Sequence, residues 1–321
     1  MQNISVYLNH TASNGSHDWQ GMINNALFRS TISYPVSSSM EELQSNLESD
    51  VKNNVDAVLS VGGDGTVHSI IQKLAGTDIG LLVVPGGTAN DFARVMGSSS
   101  NIKKIAQTIR LDTRKKIDLI QINDTFMATN GGLGFAAEVA SEINNMRKSY
   151  PQFKKLMKFS GKNIYSLFLA KKMLSKEISS YKLKINSNEF NETLYTSLVL
   201  INNQPVLGGS FEVAPDTNHQ DGKFNVTILK HSNRIELVNC LLKIMNGNYP
   251  KDDKNLISFE TSDARIELLD ASHNLSFFGD GEVFAPDNVW NIKCRPGFLN
   301  VFSPKDQTDL ANFSGQIVSL N

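Results

Sequence analysis

A chain of 321 residues is long for one compact core and suits two domains, which cluster near ~100–200 residues each. Its 31 basic and 32 acidic residues leave a net charge of -1, which gives no reason to expect a nucleic-acid partner. The two cysteines, Cys240 and Cys294, make neither a disulfide framework nor a zinc spacing, so a reducing, cytoplasmic setting is expected. Met1 to Asn9 lacks the blocks of a signal peptide, and no apolar run approaches the ~20 residues that span a bilayer. Any membrane contact is expected to be peripheral.

In chain order, Ile4 to Leu8 is the first predicted strand. Val55 to Val61 is a buried strand that breaks into Gly62 and Gly63. Val67, Ile70, Ile71, Leu74 and Ala75 then fall on one face of a helix. Ile79 to Val84 repeats the strand and ends in Pro85-Gly86-Gly87, before a helix that begins near Asn90. Such strand-turn-helix units build a parallel sheet, here an expected Rossmann-like α/β domain.

From Ile117 the texture changes to paired short strands. Ile117 to Ile122 and Thr125 to Thr129 form a predicted hairpin across Asn123-Asp124. Further strands are expected at Lys182 to Ile185, Thr196 to Ile201, Lys223 to Leu229, Arg265 to Leu269, Leu275 to Phe278 and Val289 to Cys294. Many short strands after an α/β start point to a C-terminal β-sandwich. Leu299 to Phe302 and the polar tail are expected to return toward the first domain. The expected division is residues 1–116 with 303–321 for the α/β domain, and 117–302 for the β-rich domain.

The segment Gly62-Gly63-Asp64-Gly65-Thr66 lies between a strand and a helix start, where unpaired backbone N–H groups and the helix dipole favour an anion. Glycines let the backbone approach phosphate oxygens, and an aspartate in such a loop calls for Mg²⁺ between it and the phosphate. A plain strand-to-helix turn would use the same glycines. A second loop, Pro85-Gly86-Gly87-Thr88-Ala89-Asn90-Asp91-Phe92-Ala93-Arg94, follows the next strand and opens on the same sheet edge. Thr88 offers a hydroxyl and Arg94 a positive fork, while Asn90 and Asp91 also suit simple N-capping.

These two loops at this spacing resemble the diacylglycerol kinase catalytic domain shared by bacterial lipid kinases, eukaryotic diacylglycerol kinases and sphingosine kinases. Asn9-His10-Thr11-Ala12-Ser13-Asn14-Gly15 is similar to the family's Asn-Pro-x-Ser-Gly nucleotide loop, with His10 for proline and one extra residue. Ser69 stands where the family usually keeps a glutamate, and His68 lies within family variation. The resemblance implies an ATP- and Mg²⁺-dependent kinase of phospholipid biosynthesis. It assigns ATP binding to Asn9, Ser13, Ser37, Gly62, Gly63, Asp64, Gly65, Thr66, Thr88 and Asn90, with Asp64 also catalytic.

Gly279-Asp280-Gly281-Glu282 follows an apolar strand, and alone it reads as a type I′ hairpin turn with a solvated glutamate. In the family a late Asp-Gly-Glu carries the catalytic base, which by position is Glu282. Val213 to Phe224 resembles the family loop that holds a structural Mg²⁺, implying Asp221 and the carbonyls of Asn218 and Lys223 as ligands. Gln220 replaces the first aspartate usual there. Asn130 to Phe135 and Gly208-Gly209 also look like family glycine segments that shape a cleft.

From Arg147 to Lys176 there are about nine Lys or Arg and no Asp or Glu, interleaved with apolar residues. Such a segment suits either a solvated helix or peripheral docking on anionic lipid. The implied partner is a lipid substrate at a membrane surface, diacylglycerol first; a homodimer is left open. Two rivals stand beside this reading: an NAD kinase-like cofactor kinase, which shares the first glycine loop, and a nucleotide-binding regulator without turnover, which Ser69 and Gln220 would suit.

Overall fold

The structure, a computed structural model, describes residues 2–9, 18–87, 90–149, 179–208, 211–230, 234–245, 247–270 and 275–304. Ser13, Thr88 and the basic stretch beyond Ser149 lie outside the described residues. Two compact units divide the described chain: one runs to Gly87, resumes from Phe92 to Lys116 and takes up the chain again at Leu299; the other holds Ile117–Phe298 with Asn90 and Asp91.

In the first unit the strands are β1 (Asn3–Leu8), β2 (Thr31–Ser33), β3 (Ala57–Gly62) and β4 (Gly80–Pro85), all parallel, in the order β2-β1-β3-β4. The helices are α1 (Trp19–Ala26), α2 (Met40–Lys52), α3 (Asp64–Leu74), α4 (Asp91–Val95) and α5 (Ile102–Arg110). Their starts follow capping chemistry: Asp18, Ser39 and Asn101 accept backbone N–H groups at the first turns of α1, α2 and α5. Ile4 and Val6 of β1, Ala57, Leu59 and Val61 of β3, and Leu82 and Val84 of β4 pack against Ile23 of α1, Leu27 at its C-terminal cap, and Ile105 and Ile109 of α5. Each such apolar side chain, fully buried, contributes ~1.5–3 kcal/mol.

The opposite face of β1 is polar. Ser5 and Tyr7 donate their hydroxyls to the two carboxylate oxygens of Asp50 on α2, at 2.7 and 2.6 Å. Burial, then the Asp50 carboxylate, push the Tyr7 phenol well above its usual range. A buried carboxylate without such donors would be costly, so this trio fixes α2 on the sheet.

The second unit is a sandwich. One layer contains β5 (Arg114–Ile122) and β6 (Thr125–Met127), then β8 (Tyr181–Asn186), β9 (Asn191–Thr196), β15 (Asp263–Leu268) and the start of β18 (Val289–Phe302). The other runs in the order β14 (Leu256–Thr261), β13 (Phe224–Leu229), β10 (Leu198–Asn202), β7 (Asn130–Gly134), β16 (Phe277–Gly279) and β17 (Glu282–Val283). A short pair, β11 (Val206–Leu207) with β12 (Phe211–Glu212), stands apart. Leu183, Ile185, Ile266, Trp290 and Ile292 from the first layer meet Leu133, Val199, Ile201, Val226, Ile228 and Phe277 from the second. The second layer is buried on its other face too, by α6 (Phe135–Ser149) and α7 (Arg234–Met245), through Phe135, Val139, Leu237 and Leu241. That double burial is why Leu198–Asn202 reads as a continuous apolar run rather than an alternation.

Two strand expectations need correction. Thr196 to Ile201 is not one strand: the chain turns at Ser197 from β9 in one layer to β10 in the other. Thr196 makes the corner, its Oγ1 donating to the Leu229 carbonyl (2.8 Å) and accepting from the Leu198 N–H (3.1 Å). Conversely, Val289 to Cys294 and Leu299 to Phe302 belong to the single strand β18. It continues through Pro296 because Gly297, at φ +59, donates its N–H to Asp118 (2.7 Å).

Both cysteines are buried and free, and burial raises the Cys240 thiol to about 11 and the Cys294 thiol to about 12. A thiol with a raised pKa stays protonated, so neither is a nucleophile at pH 8. A disulfide-exchange reagent at pH 8 should therefore titrate no thiol in the native protein and two after denaturation. A fast native reaction would contradict this packing.

Candidate functional site

The strand order β2-β1-β3-β4 reverses direction between β1 and β3, and open parallel sheets bind ligands outside the carboxyl ends of their strands at such a point. Asn9 leaves β1 there, its N–H donating to the Val61 carbonyl (3.0 Å) and its Nδ2 to Thr66 Oγ1 (2.8 Å). Asn9 and Thr66 thus bridge the switch point. Gly63 caps α3 with no side-chain hydrogen bond, and Asp64 is the first helical residue.

The next loop comes against this one. Gly86 donates its N–H to the Gly62 carbonyl (2.9 Å). A Cβ on Gly63 would lie 3.2 Å from the Gly87 Cα, and one on Gly86 would lie 3.3 Å from the Gly62 oxygen. Glycine at these positions lets two loops share one narrow edge with no side chain between them. Such a cradle, with a helix N-terminus behind it and a carboxylate at its lip, fits a nucleotide's phosphates with a divalent cation between phosphate and Asp64.

Ser69, the departure from the family pattern, donates its hydroxyl back to the Gly65 carbonyl (3.0 Å). It closes on its own helix turn. Ser37 leaves β2 at the same sheet edge and is exposed, its hydroxyl accepting from Asn46 (3.1 Å).

In the second unit, Glu282 follows a two-residue turn in which Asp280 (φ +52) and Gly281 (φ +81) are both left-handed, with Gly279 paired to Glu282 across it. This is the backbone signature of a type I′ hairpin. Asp280, 7% exposed, is turned inward. Its carboxylate accepts the N–H groups of Ala128 (3.1 Å) and Thr129 (2.8 Å) and the Thr129 hydroxyl (2.7 Å). Glu282, half-buried, is therefore set by a carboxylate two residues before it. The role of Asp280 is not readable from sequence, because its partners lie about 150 residues upstream.

Asn90, at φ +51, precedes α4 and groups with this unit, as does Asp91, whose Oδ2 accepts the Gly208 N–H (2.8 Å). In the loop expected to hold a structural metal, Asn218 Oδ1 accepts the Gln220 N–H (3.1 Å) and Asp221 Oδ1 the Lys223 N–H (3.0 Å). Buried Asp118 joins them, accepting Gly222 N–H at 2.7 Å. It is a carboxylate that sequence reasoning missed. Among the described residues no group of three His, Cys, Asp or Glu side chains is arranged for a metal. A groove of about 560 Å³ lined by Gln121, Asn123, Asp124, Lys293 and Arg295, among others, contains none of the motif residues.

An α/β unit with two apposed glycine loops at its strand ends and a β-sandwich unit with a fixed hairpin turn are the two parts of the chain that the comparisons with known proteins address. Residues 6–122 match the diacylglycerol kinase catalytic domain, and residues 132–303 match the YegS C-terminal NAD kinase beta sandwich-like domain. The chain belongs to the diacylglycerol and lipid kinase family. A diacylglycerol kinase of Mycobacterium tuberculosis is 27% identical over 264 residues, 79% of each chain. That of Bacillus subtilis is 26% identical over 259 residues, 79% of this chain and 80% of that one. A protein of Staphylococcus haemolyticus is 29% identical over 175 residues, and there the match spans only about half of the relative, 53% of its length. A diacylglycerol kinase structure from Bacillus anthracis str. Sterne overlays with a TM-score of 0.66 at 17% identity, covering 94% of this chain and 96% of the other, and shares the fold. Among the described residues no helix is long and apolar enough to cross a membrane.

If the close approach of the loops shapes the phosphate cradle, Gly63→Ala should raise the KM for ATP on the order of ten-fold with little change in thermal midpoint. An unchanged KM would show that the approach is incidental.

Proposed function

We propose that this protein is a lipid kinase that transfers the γ-phosphate of ATP to a lipid hydroxyl, with diacylglycerol converted to phosphatidic acid as the leading case. The observation that carries the reading is the pair of glycine loops meeting at the carboxyl ends of β3 and β4, beside the β1/β3 switch point, with Asp64 at the start of α3. Two relatives named diacylglycerol kinase favour that acceptor.

Bound Mg²⁺-ATP would supply the phosphoryl group and neutralise its developing charge. Asn9 and Thr66 fix the floor of the cradle, and backbone N–H groups of the glycine loops bind phosphate oxygens. Asp64 holds the divalent cation, directly or through water. Ser13, Ser37, Thr88 and Asn90 are proposed to complete the nucleotide contacts. Glu282 accepts the proton of the lipid hydroxyl, leaving the oxygen to attack phosphorus. Asp280 keeps the Glu282 turn in place and takes no proton. Asp221, with the carbonyls of Asn218 and Lys223, is proposed to bind a second, structural divalent cation beside Asp118.

The second reading, phosphorylation of NAD, draws on the NAD kinase-like description of the sandwich. An assay for NADP formation separates the two.

Glu282→Gln keeps size and shape while removing the proton acceptor. Turnover of diacylglycerol in mixed micelles should fall by ~10²-fold or more with the fold intact. Near-normal turnover would remove Glu282 from the mechanism.

A further inference from the structure

Asn130 is 1% exposed, and the hydrogen bonds of its side chain all go to backbone. Its Oδ1 accepts the N–H groups of Asn203 and Gln204, both at 3.1 Å, and its Nδ2 donates to the Val206 carbonyl (2.9 Å). Its own carbonyl accepts the Asp280 N–H (3.3 Å). The residue stands at the start of β7, where Asn202 of β10 pairs with it and its neighbour Gly131 pairs with Gly279 of β16. One residue therefore touches both: its side-chain amide holds the loop after β10, and its main-chain carbonyl holds the turn that carries Glu282. The far end of that loop is Gly208, whose N–H is held by Asp91. The amide offers an acceptor and a donor at this size, and neither an ionised carboxylate nor an aliphatic side chain would satisfy all three loop groups.

We propose that Asn130 is a positioning residue that locks the Asn203–Gly208 loop to the Asp280–Gly281–Glu282 turn, so that Glu282 meets the acceptor hydroxyl in a fixed geometry. This inference rests on the kinase reading for its consequence, but not for the coupling itself. Asn130→Asp keeps the shape and the acceptor, loses the donor, and sets a negative charge against the Val206 carbonyl. The variant should lose ~10–10²-fold in kcat while the KM for ATP stays within about two-fold, because none of the side-chain hydrogen bonds of Asn130 goes to a residue of the two glycine loops.

A double-mutant cycle distinguishes positioning from general damage. In a Glu282→Gln background the same change should cost less than about two-fold, since the group it positions is already disabled. An equal loss in both backgrounds, or an unchanged kcat in the single variant, would overturn the proposal. Hydrogen exchange without substrate reads the coupling independently of turnover, so an inactive wild-type enzyme would count against the kinase reading alone. In native-state exchange of the wild type, residues 203–206 and 280–282 should open with matching free energies, and in Asn130→Asp they should lose protection together. Separate opening of the two segments would refute the lock, and the wild-type measurement decides the matter even where the variant fails to fold.

Discussion

The geometry of the Glu282 turn depends on one buried carboxylate. Asp280 sits at φ +52, a conformation that costs a non-glycine residue on the order of 1–3 kcal/mol, though aspartate tolerates it better than most. Three donors from Ala128 and Thr129 offset that cost, since hydrogen bonds to a charged acceptor contribute about 1.5–3 kcal/mol each before the cost of burying it. The result is a turn with one geometry, from which Glu282 leaves in one direction. A solvated hairpin would have the same sequence and no such constraint. Asn130 reinforces the arrangement from the adjoining strand.

The first unit is governed by close approach rather than by charge. Gly62, Gly63, Gly86 and Gly87 bring the loops after two parallel strands into close contact, with no side chain between them, at the ends of β3 and β4. Asn9 and Thr66 then join β1 to the start of α3. The parallel order also explains why residues far apart in sequence, from Asn9 through Ser37 to Thr66, leave their strands at one edge. The glycine loops and the Glu282 turn thus have separate structural origins.

What was readable in the sequence follows from the range of the forces involved. The strand-glycine-helix pattern from Val55 to Ala75 is local, and the structure has β3 and α3 there. Both glycine loops were legible because their spacing is short and chemically restrictive. The corner at Thr196 was not, because its hydroxyl bonds to Leu229, a residue on another strand. Nor was the inward turn of Asp280, the saturation of Asp118 by Gly222 and Gly297, or the burial of Asp50 beneath Ser5 and Tyr7. In each case a polar residue has partners that only the tertiary fold brings near. β9 and β14 escaped notice for a different reason: their exposed and half-buried faces carry polar residues that blur the apolar alternation.

The measurement that bears most directly on the account is the fate of the γ-phosphate. Incubation with γ-labelled ATP, Mg²⁺ and mixed micelles, each holding one of diacylglycerol, monoacylglycerol, a sphingoid base or a polyprenol, with NAD as a parallel acceptor, reads which molecule gains the label. The account predicts label in a lipid, diacylglycerol first. Label in NADP alone, or tight ATP binding with label in none of the acceptors, would contradict it.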